Sequence, residues 1–535
     1  MTASQSPSIA QNGTADSSLD PFRPSDACRS LLDNDLYKLT MQQAVREHYP
    51  NTPVSYTLTN RSPEIARIPP SALPWLTARL YQLGEVRLTQ DERHFLERKC
   101  PYLTKDYLDW LQHEFRFRPA SQIHIEYRPL ASFSATPSRE TTASASKLGG
   151  NGRSTTTTAT TTTMTTPEEG KRVQAQAVVE HLSITVSGLW DEVILYEIPI
   201  LALVSEAFFR FGDTDWDYAG QFEGARDKAR QLVLGGARFA EFGTRRRRDY
   251  ETQRVVMEGL IAGAKEGAEA LAANGSSTTT TSSSSSSSSP STTTTTTAAN
   301  TTQPASNHHH TRGSKKAGAL LGTSNLHFAH LYDLVPIGTL AHEWVMGTAA
   351  ILGDAGEANL VALQKWNETY PSHLHIALTD TFTTKVFLAN AWDPVAKHWD
   401  GVRHDSGDPF EFADQMSALC ARAVQEERSE AKLPRTRAIV FSDGLSTKRA
   451  LALQQHMDNK QQPYQATTFG IGTHFTNDFQ RLSKPEEPSP AMNIVVKLKT
   501  CRGRVCVKLS DDQGKESGTS EAVERVRCQI AKYAV

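Results

Sequence analysis

Residues 439–451 read IVFSDGLSTKRAL, and this stretch decides the fold. A short apolar run ends in Ser442-Asp443-Gly444, and a helical pattern follows directly. The next stretch outward, TTFGIGTHFTND (467–478), repeats the form with Gly470, Gly472 and Thr473 at the turn. Toward the start of the chain come GVRHDSGDP (401–409), HIALTDTF (375–382), DLVPIGTLAHEW (333–344), LLGTSNLHFAH (320–330) and RFAEFGTRRRR (238–248). Each is an apolar run closed by small or charged residues and followed by a helical pattern, the mark of a βα unit. Units of this kind in series predict a parallel α/β barrel, with the active site at the C-terminal strand ends.

The informative side chains fall at those ends. Backbone N–H groups at a helix start can hold phosphate, and glycine permits close approach. Asp443, Gly444, Gly470, Gly472 and Thr473 are therefore phosphate-site candidates, with two ordinary glycine turns as the plainer reading. The run Arg245–Arg248 would by itself be a solvated face or a nucleic-acid patch. Its place directly after RFAEF predicts at least one inward guanidinium, suited to bidentate grip of phosphate or carboxylate, and Arg245 is the choice. Arg403, Asp405 and Asp408 place a cation beside carboxylates. They could neutralise a substrate carboxylate and hold a ribose diol or Mg²⁺, or form a structural ion pair. His404, by alternation, points the other way.

His342 stands in GTLAHEW, after DLVPI and before a helix-like run. A lone histidine is more often a packed core residue. Neutral imidazole is also nucleophilic near pH 7 and can carry a phosphoryl group. Neither a Walker A loop nor the kinase glycine-rich set occurs, so ATP chemistry would need another arrangement.

The rest of the chain sets bounds. Fifty-seven basic and 59 acidic residues among 535 leave a net charge of −2, so no overall field favours nucleic acid or a membrane surface. Six cysteines without a C-x-x-C pair fit unpaired thiols in a reducing compartment. No apolar run reaches the ~18 residues of a membrane span, and the first residues lack a secretory pattern. The expected organisation is a disordered 1–25, a mixed α/β domain at 26–133 and a Thr-rich insertion at 134–172 on a hairpin tip. The remainder of that domain and the start of the barrel follow at 173–273. A Ser/Thr insertion with His308–His310 occupies 274–316, the barrel continues at 317–482, and 483–535 returns to the mixed domain.

Taken as an ordered set, LLDNDLYKLTMQQAV, EVILYEIPILALVSE, FAEFGTRRR, GTSN, GTLAHEW, ALTDTF, RHDSGDP, VFSDGL, FGIGT and MNIVVKL with KLSD resemble nicotinate phosphoribosyltransferase, in its fungal and enterobacterial forms. The resemblance implies a type II phosphoribosyltransferase fold, an α/β barrel with an N-terminal mixed α/β domain, in a homodimer with shared active sites. It implies an ATP-dependent, ligase-class reaction of nicotinate and phosphoribosyl pyrophosphate to nicotinate mononucleotide and pyrophosphate, with ATP and Mg²⁺ as cofactors. His342 maps to the transiently phosphorylated histidine. Phe242 and a Tyr37 from the other subunit map to the pair that stacks on the nicotinate ring. Arg403 falls where the family faces the pyridine carboxylate, and Arg245, Asp405, Asp443, Gly444, Gly470, Gly472 and Thr473 where it binds phosphoribosyl groups. The related nicotinamide enzyme has an aspartate where Ser324 stands. A hydroxyl donates to a carboxylate that a second carboxylate would repel, so nicotinate is preferred to nicotinamide. A nicotinamide- or quinolinate-using enzyme is the alternative, and a non-catalytic sensor of the precursors lies further off.

Overall fold

The stretch following Asp35 folds into the helix Leu36–His48 and strand β1, Pro53–Asn60. Along β1 the alternate residues Val54, Tyr56 and Leu58 are buried, the period-2 pattern of a strand with one face on a core. The computed structural model describes residues 27–127, 182–276, 317–460, 465–512 and 514–533. The expected disordered start, the bulk of both low-complexity insertions and His308–His310 lie outside the described residues.

Numbered in chain order, β2 is Ile123–Tyr127, β3 Leu182–Leu189, β4 Arg238–Glu241, β5 Ala319–Thr323, β6 Ile376–Leu378, β7 Gly401–His404, β8 Arg437–Phe441 and β9 Gln465–Ile471. The short β10 (Phe479–Gln480) and β11 (Pro488–Ser489) form a ribbon, followed by β12 (Ile494–Cys501) and β13 (Arg504–Val505). A five-stranded antiparallel sheet has the order β13-β12-β1-β3-β2. Tyr127 pairs with Leu182, so the Thr-rich segment does connect the two strands of one hairpin. β12 pairs with β1, which carries the late part of the chain back to the mixed sheet.

The six βα strands form one parallel sheet, in the order β5-β4-β9-β8-β7-β6. DLVPI, expected as a further strand, contributes only a single parallel bridge, Pro336 to Thr323. Both hydrogen bonds of that bridge use the neighbours of Pro336, from Thr323 N–H to the Val335 carbonyl and from Ile337 N–H to the Thr323 carbonyl; Pro336, without an N–H, has none to offer a strand on its other side. Close approach is still enforced: Gly322 has φ +150°, and a Cβ on it would sit 1.9 Å from the Val335 carbonyl oxygen. Among the described residues no pairing joins Pro336 to β6, so the hydrogen-bonded ladder is α/β and parallel but not closed.

Packing between the layers is aromatic and aliphatic. The helix Glu197–Phe211 is apolar on nearly every side and almost wholly buried, as a central helix must be. Trp190, Trp344 and Trp366 are fully buried near the helix that starts at His342. Five of the six cysteines are buried thiols, and Cys528 is exposed.

Candidate active site

Parallel register brings the strand ends together. Arg403 pairs with Val440 and His404 with Phe441, so Asp405 and Ser442 emerge side by side. Ser442 Oγ lies 2.8 Å from Asp405 Oδ1, which also accepts from Arg403 Nη2 at 3.1 Å. Burial pushes the Asp405 carboxyl up, but Arg403, His342 and Lys508 outweigh it and hold the group well below the usual carboxylate range.

His342 is the first residue of the helix His342–Leu352 and is half-buried. Its Nε2 lies 2.9 Å from Asp405 Oδ2, 2.9 Å from Lys508 Nζ and 3.8 Å from Asp380 Oδ1. Its Nδ1 lies 3.0 Å from the Thr381 hydroxyl. Burial and the Lys508 ammonium lower the His342 pKa, against Asp380 and Asp405, so the ring is neutral at pH 7. His342, Asp380 and Asp405 bring three donor atoms within 4.8 Å of one another, a group able to hold a metal ion. Lys508, 3.2 Å from Asp380 Oδ2, already supplies a cation to it. Segment 508–512 is stitched to the strand ends: Leu509 N donates to Thr381 O, Asp511 N to Ser406 Oγ and Gly407 N to Asp512 Oδ1.

The arginine run divides. Arg247 is fully buried in a two-bond pair with Asp33, at 3.0 and 2.7 Å. Arg248 is buried too, bonded to Asn477 and the Ser489 carbonyl and over the Phe209 ring. Arg245 and Arg246 are half-buried. Arg245 makes only long contacts, 3.5 Å to both Asp35 and Glu197, and lies over the Tyr37 ring. Arg246 also makes only long bonds, 3.3–3.4 Å to Asn493 and the Ile494 carbonyl, so both half-buried guanidiniums keep donors to spare.

Phe242 is half-buried at the end of β4, its N–H bonded to the Ile471 carbonyl. A Cβ on Gly470 would lie 3.3 Å from its ring, and one on Gly472 2.8 Å from its carbonyl oxygen. Both glycines thus make room for Phe242. Gly444 does fit the phosphate reading: it is exposed, with φ +54° and nothing within 4 Å of a Cβ. Asp443 beside it pairs with Lys515 at 3.2 Å. Thr473 opens a four-residue helix and is half-buried.

Three expectations are corrected. Tyr37 is only 3% exposed, packed inside its own chain under Arg245, so it is not a ring held out to another subunit. Its hydroxyl has no hydrogen-bond partner among the described residues. Ser324 is fully buried and donates to Asp35 Oδ1 at 2.8 Å, so its hydroxyl is spent within the protein rather than offered to a ligand carboxylate. Asp408 caps the helix Pro409–Ser429 through the N–H groups of Phe410 and Glu411 and takes no part in the cluster. His404 is buried between Phe412 and Phe441, away from the cleft as alternation predicted. Arg403 bonds to Ser442, Asp405 and the Leu340 carbonyl, which leaves two of its five N–H donors.

Asp380, Thr381 and Lys508 were not singled out from sequence, although ALTDTF and KLSD contain them. Arg61 and Lys497 were missed as well. Burial, Arg61 and Lys508 push the Lys497 amine down to about 8. Burial, Arg245 and Arg61 likewise pull Arg246 down to about 10. Cations crowding one another in this way make a place for an anion.

An α/β enzyme site emerges, built at the ends of parallel strands for anionic ligands around a neutral histidine. Residues 237–532 match the model of the nicotinate phosphoribosyltransferase (NAPRTase) family, and residues 32–147 that of its N-terminal domain. The nicotinate phosphoribosyltransferase of Saccharomyces cerevisiae is 34% identical over 94% of this chain and 95% of its own. A Saccharomyces cerevisiae crystal structure from the same family aligns with a TM-score of 0.71 at 32% identity, covering 94% of this chain and 98% of that one. The nicotinate phosphoribosyltransferase structure from Vibrio cholerae aligns with a TM-score of 0.67 at 26% identity, covering 96% of each. The chain belongs to the nicotinate phosphoribosyltransferase family, and its fold is that of the type II phosphoribosyltransferases.

Proposed function

We propose that this protein joins nicotinate to phosphoribosyl pyrophosphate, forming nicotinate mononucleotide and pyrophosphate, in an ATP-coupled, ligase-class reaction that works through a phosphohistidine at His342. The observation that carries the ATP coupling is the setting of His342, a neutral ring with both nitrogens engaged at the strand ends. Lys508 can only donate and the Asp405 carboxylate can only accept, so Nε2 serves one of them. With Nε2–H donated to Asp405 and Lys508 donating to Asp380, every group is used. The lone pair is then on Nδ1, where the Thr381 hydroxyl donates to it. Attack by Nδ1 on the γ-phosphorus breaks the bond to the β-phosphate oxygen and releases ADP. Water later takes the phosphoryl group and leaves phosphate.

In the ribosyl transfer, the pyridine nitrogen of nicotinate is unprotonated at pH 7 and needs no base. Catalysis is then positioning and charge stabilisation around an oxocarbenium-like centre. Phe242 supplies an aromatic face for the ring and Arg403 a guanidinium for its carboxylate. Arg245, Asp443, Gly444 and Thr473 lie toward the phosphoribosyl group. Asp405, held by Arg403 and Ser442, reaches this group only through those partners. Mg²⁺ enters with the pyrophosphate and ATP rather than at a resident site, since Lys508 supplies the cation at the His342 group.

The homodimer implied by the resemblance would form without lending Tyr37 across its interface. No helix of the described residues is long and apolar enough to cross a membrane. Unpaired thiols support a cytoplasmic enzyme, with nuclear entry open. The test is incubation with γ-labelled ATP. Acid-labile, base-stable label on His342, absent from His342→Ala together with ATP-stimulated turnover, is the expected result. ATP-stimulated turnover that survives in His342→Ala would sink the reading. Nicotinamide serving as well as nicotinate in direct competition would overturn the substrate.

A further inference from the structure

The most deeply buried charges near the site are not the ones that face it. Lys38, on the helix Leu36–His48, is fully buried. Its ammonium lies 2.5 Å from Glu197 Oε2 and is hydrogen-bonded to Glu343 Oε2. Glu343 follows His342 directly in the first turn of its helix, and its other oxygen accepts from Trp190 Nε1 at 2.7 Å and from the Tyr56 hydroxyl. Glu197 opens the helix Glu197–Phe211 and turns its other oxygen to Arg245 Nη1, 3.5 Å away. One ammonium therefore holds two carboxylates, one fixed to the turn that presents His342 and one in contact with Arg245.

The two ends differ in tightness. The Lys38 contacts are short and closed to water, so neither carboxylate can drop its partner without leaving a buried charge unpaired. The Arg245 contacts are long, on a side chain 39% exposed, so this guanidinium can exchange partners with a ligand anion. When an anion draws Arg245, Glu197 keeps only Lys38 and pulls harder on it. Glu343 is the chain neighbour of His342 in the first helical turn, so a change in how Lys38 holds Glu343 is a change in the turn that presents His342.

We propose that Lys38 is a positioning residue that couples the charge on His342 to the grip of Arg245 on its anionic substrate, through Glu343 and Glu197. The proposal rests on the phosphohistidine reading above. It makes the benefit of ATP a change in affinity for the phosphoribosyl substrate, carried by this chain of buried charges.

Replacing Lys38 would leave two buried carboxylates unpaired and threaten folding, so the same-shape variants Glu197→Gln and Glu343→Gln carry the test. In the full-length protein, the KM for phosphoribosyl pyrophosphate is measured with and without ATP, alongside labelling of His342 from γ-labelled ATP. In the wild type ATP is expected to lower this KM. In Glu197→Gln the ATP-dependent ratio is expected to shrink by at least about 5-fold, the low end of common couplings, while His342 still takes label. The double variant is expected to lose no more than the single ones, since all three cut one path. A merely structural role would lower the melting temperature and leave the ratio unchanged. A wild-type ratio in a labelled Glu197→Gln protein, or losses that multiply in the double variant, would overturn the coupling alone. A wild type with no label and no ATP effect would overturn the phosphohistidine reading and this proposal with it.

Discussion

Arg247→Met removes one half of a buried pair that fixes the loop carrying Phe242 and Arg245. Asp33 and Arg247 are both almost fully buried and share two hydrogen bonds. The same carboxylate also accepts from Asn325 Nδ2 and from the Cys28 N–H, both at 2.8 Å. Burial raises the Asp33 pKa, but Arg247 dominates and brings it down from 3.8 to about 2. A depressed carboxylate stabilises the fold above its unfolded pKa, and that stability is lost as pH falls through the folded one. Linkage therefore assigns this ionisation about 2–3 kcal/mol, lost between roughly pH 4 and 2. Stranding the carboxylate by removing its partner costs more, about 3–5 kcal/mol. Urea unfolding followed by tryptophan fluorescence is expected to show the first transition of Arg247→Met weakened by that amount. Asp33→Leu with Arg247→Met should recover a large part of the loss, since no lone charge remains. A single variant within about 1 kcal/mol of wild type would refute the view that this pair anchors the loop.

Other outcomes are expected at the site itself. In Lys508→Met, loss of the ammonium lets His342 hold its proton to higher pH, so the rise of histidine labelling with pH moves alkaline; an unmoved profile would contradict the assigned role. Gly470→Ala places a methyl 3.3 Å from the Phe242 ring, and the displaced ring should raise the KM for nicotinate severalfold with less effect on kcat. Ser324→Ala breaks its bond to Asp35 and should cost about 1–2 kcal/mol in thermal unfolding. Its preference for nicotinate over nicotinamide should stay as in the wild type, and a collapse of that preference would restore Ser324 as a ligand contact.

The strand ends were legible because an apolar run closed by a small residue is a local pattern, and six of the seven such runs quoted are strands. The exception, DLVPI, fails through one proline. His342, Arg403 and Asp405 converge as expected because each sits at the end of, or just beyond, one of these runs. What surrounds them was not legible. Lys508 reaches His342 from 166 residues away, and nothing in the spacing of KLSD announces it. Tyr37 was assigned to the ligand by the family resemblance, and Ser324 by its place against the related enzyme's aspartate and by what a hydroxyl can donate. Whether a hydroxyl or ring reaches a cleft depends on which helix packs over it, and here Asp35 and Arg245 claim both. Arg245–Arg248 read as one charge run, yet its members divide between two buried anchors and two half-buried cations, because the chain turns there.

The pairing of β1 with β12 has a consequence for biogenesis. The sheet that opens the fold waits for a strand translated after every unit of the parallel sheet, so contacts of long sequence separation must close last. Lys508 lies just beyond that strand and completes the surroundings of His342 only when the pairing is made. A chain cut short before β12 would therefore carry the parallel sheet with that edge of β1 unpaired and His342 without its ammonium neighbour.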